Sequence, residues 1–207
     1  ATQLPVPFTS QAPHARWIEP WQNACEETSI FMVHRFYNGQ KISSQDDATK
    51  GILEIFQFKN ILYGFSLDEE LTKIAGIINN YLPWSANIVE NPTIEQIKTE
   101  IDNKKPVIVP LYAPALHNPH FSGYFAYHMG VISGYDEDMD IFFVEEPGTR
   151  YGNRYAYSYN TIMNSLHDFV LGHVERGAKR VLFTSPDIRE SRHTDADNDG
   201  LTKEQEF

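Results

Sequence analysis

The sequence predicts an α+β domain in which a helical amino-terminal half packs on a mainly antiparallel sheet. In the first half, apolar residues recur at helical spacing and follow helix-capping signals. In the second half, short runs rich in Val, Ile, Phe and Tyr are bounded by Gly, Pro or Asp. Helices followed by strands, rather than alternating with them, are typical of the α+β class. The chain has 207 residues, 41% of them hydrophobic, which is enough for one packed domain.

The first elements follow from prolines, charges and periodicity. Three prolines within residues 5–13 favour extended chain, and residues 17–23 are predicted to form a loop. A helix is predicted to begin near Cys25, with two glutamates in its first turn, where acids complement the helix dipole. Asn38-Gly39 is predicted to end this helix.

The remaining helices and strands are predicted from capping boxes and changes of period. Ser66 and Thr93 each stand three residues before a Glu or Gln, which is the pattern that opens a helix. Four further helices are predicted over 45–56, 67–81, 93–103 and 161–171. Five strands are predicted over 106–113, 124–135, 140–145, 154–159 and 178–184.

Composition sets the domain boundary and limits the partners. Residues 1–185 are predicted to form the main folded domain, and residues 186–207 a polar linker with an acidic end. The chain carries 17 Lys and Arg against 28 Asp and Glu, a net charge of −11, which disfavours nucleic acid and anionic membrane surfaces as partners. No stretch approaches the roughly 18 consecutive apolar residues of a membrane span. A monomer is expected.

Cys25 is the only cysteine, so the chain cannot form an intramolecular disulfide or a cysteine-based zinc cluster. A lone thiol is either a small buried hydrophobic group or a reactive one. The start of a helix favours the thiolate and lowers the pKa of a cysteine, although Glu26 and Glu27 oppose this here. A cation is therefore still needed, and nucleophilic cysteines usually obtain it from a histidine.

His128 is the histidine whose context is unusual, because it lies inside the apolar strand predicted over 124–135. A polar group there must be hydrogen-bonded or functional, so a satisfied core histidine and a partner of the thiol both remain open. The other histidines are expected to be solvated or structural: His14, His34, His117, His120, His167, His173 and His193.

Four sequence blocks between residue 6 and about residue 160 resemble the C39-like branch of the papain-like cysteine peptidases. They are the Pro-rich segment with Gln11, the helix start Ala24-Cys25, the strand in which His128 leads to Gly134-Tyr135-Asp136, and Glu146-Pro147-Gly148-Thr149. Any one block alone is weak, whereas the four together cover most of the chain and are fairly specific.

The resemblance implies a papain-like fold and a peptidase or amidohydrolase that works through a thioester acyl-enzyme. Cys25 would attack a carbonyl carbon, and His128 would take its proton or hold it in an ion pair, then protonate the leaving amine. The amide of Gln11 and the backbone N–H of Cys25 would donate to the oxyanion, and Glu146 would orient the imidazole. The implied substrate is a peptide or protein, and no metal is implied for the chemistry.

The sequence departs from the family pattern in two places. Family members often have Gly-Pro after the cysteine, whereas this chain has Glu26-Glu27, a variant familiar in one bacterial subgroup. The third residue is usually Asp or Asn, whereas here it is a glutamate. Successive strand residues point to opposite faces, so only one of Glu145 and Glu146 can face His128. Glu146 is preferred because it precedes a proline.

The acidic end fits the calcium-loop pattern D-x-D-x-D-G-x5-E and resembles an EF-hand-like loop. Calcium takes six to eight oxygen ligands, which alternating aspartates supply, with water expected near Lys203. The predicted Ca2+ ligands are Asp195, Asp197, Asp199, the Leu201 carbonyl and Glu206. A structural role away from the thiol is expected, the alternative being a solvated acidic tail. Millimolar external calcium and an unpaired cysteine favour an extracytoplasmic or secreted protein.

Three other functions remain open from the sequence. The same pair of side chains serves acyl transfer, as in transglutaminase-like relatives. A papain fold can also be kept as a binding module without catalysis. Finally, the calcium loop could be the functional end of an adhesion or scaffold protein.

Overall fold

Alternating apolar residues in the second half of the chain build one antiparallel sheet. The computed structural model describes residues 1–186, and every strand pair in this part is antiparallel. Six strands follow the order β2-β7-β3-β4-β5-β6, and β1 pairs with β4. The strands are β1 (Thr2–Gln3), β2 (Trp84–Glu90), β3 (Val107–Tyr112), β4 (Tyr127–Asp136), β5 (Ile141–Glu145), β6 (Tyr155–Ser158) and β7 (Arg180–Pro186).

Helices occupy most of the first half, so the predicted α+β class is confirmed. They are α1 (Cys25–Tyr37), α2 (Gln45–Tyr63), α3 (Leu71–Tyr81), α4 (Ile94–Asp102) and the later α5 (Tyr159–Ser165). The side chain of Thr93 accepts from the backbone of Gln96 and the side chain of Gln96 accepts from the backbone of Thr93, so the predicted capping box begins α4.

Helix α1 is the central helix. Every residue from Cys25 to Val33 is buried, including the two charged side chains Glu26 and Glu27. The helix packs against β4 and α2, so water reaches none of its faces over the first two turns. The amino-terminal end of α1 therefore lies inside the protein, and the chemistry of its first residues is set by buried neighbours.

Helix α3 begins at Leu71 rather than at Leu67, where the sequence predicted it. The predicted partners Ser66 and Glu69 do bond through their side chains, but no helix begins there. The backbone N–H of Glu69 donates to the carboxylate of Glu26 over 3.0 Å, and that of Leu71 donates to Asp168 over 3.0 Å. Tertiary hydrogen bonds thus replace the helical ones and hold the preceding segment across the start of α1.

Three other boundaries also differ from the prediction. Strand β2 was not predicted, although polar Ser85 and Asn87 alternate with Trp84 and Ala86, as expected for a half-exposed edge strand. It pairs with β7 along its whole length. Helix α2 runs on to Tyr63, and α5 is shorter than predicted.

The predicted linker and calcium loop lie outside the described residues, and the division at residue 185 stays a prediction. Among residues 1–186, no helix combines the length and the apolar character that a membrane crossing requires.

Candidate active site

Cys25 is the first residue of α1 and is 4% exposed. A short 3-10 helix over Trp21–Asn23 leads the chain into it. Helix α1 packs on β4. The hydroxyl of Tyr127, the residue before His128, donates to the Glu69 carbonyl, and the N–H of Glu69 donates to the carboxylate of Glu26, the residue after Cys25. The thiol and the histidine-bearing strand therefore belong to one region of the core.

The thiol of Cys25 donates a hydrogen bond to the carboxylate of Glu26, with 3.1 Å between Sγ and Oε2. Burial raises the pKa of Cys25 well above its ordinary value, and the negative charges of Glu26 and Asp68 raise it further. The lower pKa that the start of a helix favours for Cys25 is therefore not found in this structure. Desolvation and the neighbouring carboxylates outweigh the dipole, so the resting thiol is neutral.

Glu26 and Glu27 are buried participants rather than solvated acids at a helix end. Burial raises the pKa of Glu26, and the charge of Glu27 raises it further. The Oε1 atom of Glu26 accepts a hydrogen bond from the N–H of Glu69. Glu27 forms a buried ion pair with Lys59, which is 1% exposed and also donates to the Ser66 carbonyl over 3.1 Å. In the sequence, these glutamates were interpreted as acids that complement the helix dipole. The missed signal was two adjacent charges shortly before the apolar run at residues 30–33 of the same helix.

His128 lies near the start of β4, opposite Leu111 of β3. Its Nε2 is hydrogen-bonded to the carboxylate of Glu146, and both side chains are buried. The neighbouring Glu145 instead accepts from the Ser133 hydroxyl over 2.8 Å and from the N–H of Arg154 over 3.1 Å. Of the two glutamates, Glu146 is therefore the one that holds the imidazole, and Nδ1 is the ring nitrogen left for a reacting group.

Two neighbours donate hydrogen bonds to Glu146, and a third residue donates to one of them. The N–H of Gly148 donates to Oε1 over 2.9 Å, and the hydroxyl of Tyr157 donates to Oε2 over 3.0 Å. Asn118 donates to the Tyr157 oxygen over 2.7 Å. Burial raises the pKa of Tyr157, and the charge of Glu146 raises it further, which keeps the hydroxyl protonated as a donor. The sequence pattern assigned no functional role to Asn118 or to Tyr157.

Gln11 joins the two halves of the site. Its backbone N–H donates to the Pro147 carbonyl over 2.9 Å, next to Glu146. Its side-chain Nε2 donates to the carbonyls of Trp21 and Gln22, each over 3.0 Å, just before Cys25. Both amide hydrogens are therefore engaged, and the predicted donation from Gln11 to an oxyanion is not present in this arrangement. Its observed position is that of a brace between the thiol loop and the Glu146 loop.

The structure therefore brings His128 and Glu146 into direct contact, with Gln11 bracing the loops around them. Among the described residues, the hydrogen-bond partner of the thiol is Glu26. Asp68 links the two sides electrostatically: burial raises its pKa to about 6, although the charges of Lys59 and His128 lower it, and its own charge acts on Cys25. Thiol and imidazole thus share one buried electrostatic environment.

No group of three or more His, Cys, Asp or Glu side chains within residues 1–186 is arranged to hold a metal ion. The predicted Ca2+ ligands lie outside this part of the chain.

Comparison with known proteins gives a family match and a structural match. The model of the Peptidase_C39 like family matches residues 3–170. A Bacillus anthracis protein classed as a C39-like peptidase superposes with a TM-score of 0.58 at 15% sequence identity, covering 88% of this chain and 96% of that protein. At this identity the likeness concerns the fold alone, and it agrees with the predicted papain-like architecture. No curated protein matches the chain.

Proposed function

Because the chain belongs to the Peptidase_C39 like family, we propose that it is a cysteine peptidase or amidohydrolase with Cys25 as nucleophile and His128 as general base and acid. The observation that carries this proposal is the buried His128–Glu146 pair, set on the strand against which the thiol-bearing helix packs. A carboxylate on one ring nitrogen fixes the tautomer and directs the other nitrogen to the reaction.

The raised pKa of Cys25 favours a general-base mechanism over a preformed ion pair. In the proposed first step, rotation of the Cys25 side chain moves Sγ from Glu26 to the Nδ1 of His128. His128 accepts the thiol proton as sulfur attacks the substrate carbonyl carbon. The C–N bond then breaks, His128 gives the proton to the leaving amine, and a thioester remains on Cys25.

The second half of the proposed reaction returns the enzyme to its starting state. His128 removes a proton from water, the resulting hydroxide attacks the thioester carbonyl, and the C–S bond breaks. The carboxylic acid leaves, and the proton on His128 returns to the sulfur. The backbone N–H of Cys25, at the unpaired start of α1, is the proposed oxyanion donor. A contribution from Gln11 would require it to release the carbonyl of Trp21 or Gln22.

The test is turnover of a quenched peptide library by matched variants. Cys25→Ala and His128→Ala are each expected to abolish cleavage while the circular dichroism spectrum stays native. His120→Ala, which changes an exposed histidine, serves as the control. Cleavage that survives Cys25→Ala would overturn the proposal. Glu146→Ala should be milder than either, because an orienting group is partly replaceable by water, and equal severity would overturn that ranking of roles.

Two further assignments are proposals that rest on the sequence pattern alone. We propose that Asp195, Asp197, Asp199, Leu201 and Glu206 bind one structural Ca2+, and that the protein works outside the cytoplasm, where calcium is millimolar. Calorimetric titration of the full chain with Ca2+ should give one site that Asp195→Ala with Asp199→Ala removes. Retention of the site in that double variant would contradict the ligand assignment.

A further inference from the structure

A surface pocket of about 190 Å³ adjoins His128. Residues of the connection between β3 and β4 form it, and this connection leads directly into the histidine-bearing strand. Two of its aromatic walls touch the imidazole: the ring centroids of Phe121 and Phe125 lie 5.3 and 5.7 Å from that of His128, both edge to face. Two walls of the pocket thus contact the residue proposed as general acid.

Aromatic rings form much of the pocket wall. Phe121, Tyr124 and Phe125 line it together with the small residues Ala113, Pro114 and Gly123, and its described lining contains no Asp, Glu, Lys or Arg. Two polar side chains, His117 and Asn118, also line it, and Asn118 already donates to Tyr157 and accepts from the N–H of His120. A ligand in this pocket therefore meets three aromatic rings, with the His117 imidazole as the remaining polar side chain.

Tyr124 shows that the pocket has an uncovered wall. Tyr124 is 80% exposed. An exposed aromatic ring beside two half-buried ones forms an apolar patch of the kind that binds a partner. The volume also suits one ring, since a cavity of about 150 Å³ in another protein binds benzene.

The chemistry of the proposed function decides which part of a substrate reaches this patch. His128 must protonate the leaving nitrogen, so that nitrogen comes within hydrogen-bond distance of its free ring atom Nδ1. The side chain of the residue that carries the leaving amine is attached one carbon away. That side chain is therefore the part of the substrate brought next to the rings that flank His128.

We infer, on the basis of the proposed function, that this pocket selects substrates whose leaving amine belongs to an aromatic or large aliphatic residue. Phe121, Tyr124 and Phe125 are then specificity-determining residues. Discrimination against glycine or aspartate at that position should be about tenfold or more, because hydrophobic pockets discriminate by this order for the loss of even one methylene group.

The first experiment digests a randomised peptide library with the full chain and sequences the new amino termini. Phe, Tyr, Trp, Leu and Met are expected to exceed Gly and Asp by about tenfold. In Tyr124→Ala this excess should fall severalfold, because one wall is removed without altering the two rings that touch His128. Met139→Ala, which removes an exposed apolar side chain from the other end of β4, should leave the excess unchanged.

The outcomes separate this inference from the proposed function. Cys25-dependent cleavage with an even distribution of new amino termini overturns the inference and leaves the peptidase assignment standing. If no peptide is cleaved, the peptidase assignment fails, and NMR titration of the protein then decides the inference. Phenylalaninamide is expected to bind about tenfold more tightly than glycinamide and to shift the ring signals of Phe121 and Tyr124. Equal binding of the two amides overturns it.

Discussion

The carboxylate of Glu26 accepts a hydrogen bond from the thiol of the preceding residue, Cys25, across 3.1 Å inside the core. Adjacent residues of a helix do not usually face each other, but at the first turn the chain is still entering the helix. The consequence is that the nucleophile proposed for catalysis rests on an acceptor that disfavours its ionisation. Five predictions follow from this and from the neighbouring contacts.

Glu26→Gln should make the thiol more acidic. The substitution keeps the shape and removes the nearest negative charge, so the pKa of Cys25 should fall. The measurement is the rate of alkylation by iodoacetamide from pH 6 to pH 10. Glu54→Gln, on the exposed side of α2, is the control. A midpoint that is unchanged or higher in Glu26→Gln would show that Glu26 does not govern the thiol.

Tyr157→Phe should lower kcat by about tenfold with little change in KM, because Glu146 loses a buried donor to its charged form. Tyr155→Phe is the matched control, since its ring centroid lies 4.7 Å from that of Tyr157, whereas the hydroxyl that donates to Glu146 is that of Tyr157. Equal kcat values in the two variants would show that the Tyr157 hydroxyl does not act through Glu146.

Gly148→Ala should impair catalysis more than it impairs folding. A Cβ at this position would stand 2.9 Å from a ring carbon of Phe121, 3.0 Å from Cε1 of His128 and 3.1 Å from Oε1 of Glu146. The added methyl group must displace the histidine–carboxylate pair, and turnover should drop by about 100-fold. Gly134→Ala, which crowds the Thr2 carbonyl at the far end of β4, should cost stability instead. The reverse pattern would contradict this account.

Lys59→Met should destabilise the fold by about 3–5 kcal/mol, because it leaves Glu27 buried without its partner. Urea denaturation at pH 7 measures the loss. Combining it with Glu27→Leu removes the orphaned charge and should recover most of the stability. A double variant no more stable than Lys59→Met alone would show that the cost arises from packing rather than from charge.

Asp68 should make stability fall with rising pH. Its pKa is about 6 in the folded protein, whereas an aspartate in an unfolded chain titrates near about 3.9. The folded state binds this proton more tightly, so its stabilising contribution is complete below about pH 4 and is lost as the pH rises through 6. In Asp68→Asn, the fall in the free energy of unfolding between pH 4 and pH 6 should be smaller by about 2 kcal/mol. An unchanged slope would exclude Asp68 as its source.

Periodicity and capping residues were enough to predict the fold class and most elements, because these signals are local. The Thr93 capping box began a helix as predicted, whereas the Ser66 one did not, since Glu26 and Asp168 capture the backbone N–H groups beside it. Those partners are distant in sequence and leave no local signature. Strand β2 was missed for a similar reason, because its pairing with β7 decides its conformation.

The features of the candidate site also divide into those that could be expected from the sequence and those that depend on distant contacts. The contact between His128 and Glu146 was implied by the resemblance to the C39-like peptidases, whereas the residues alone indicated only that a histidine in an apolar strand needs a partner. The burial of Glu26 could not be derived from its place in the first helical turn, where an acid is ordinarily solvated. The bracing position of Gln11 depends on carbonyl groups of a loop whose path only the folded chain defines.

The attachment of the amino-terminal segment to β4 also bears on the order of assembly. Gln3 bonds to Ser133 across a separation of 130 residues, and Gln11 bonds to Pro147 in the same way. Contacts this distant along the chain form slowly, because a large loop must close first. During synthesis on the ribosome, the opening residues must wait until most of the domain has emerged. The proposed active site should therefore be completed in one of the last steps of folding, so that the nascent chain lacks it while it is still unstructured.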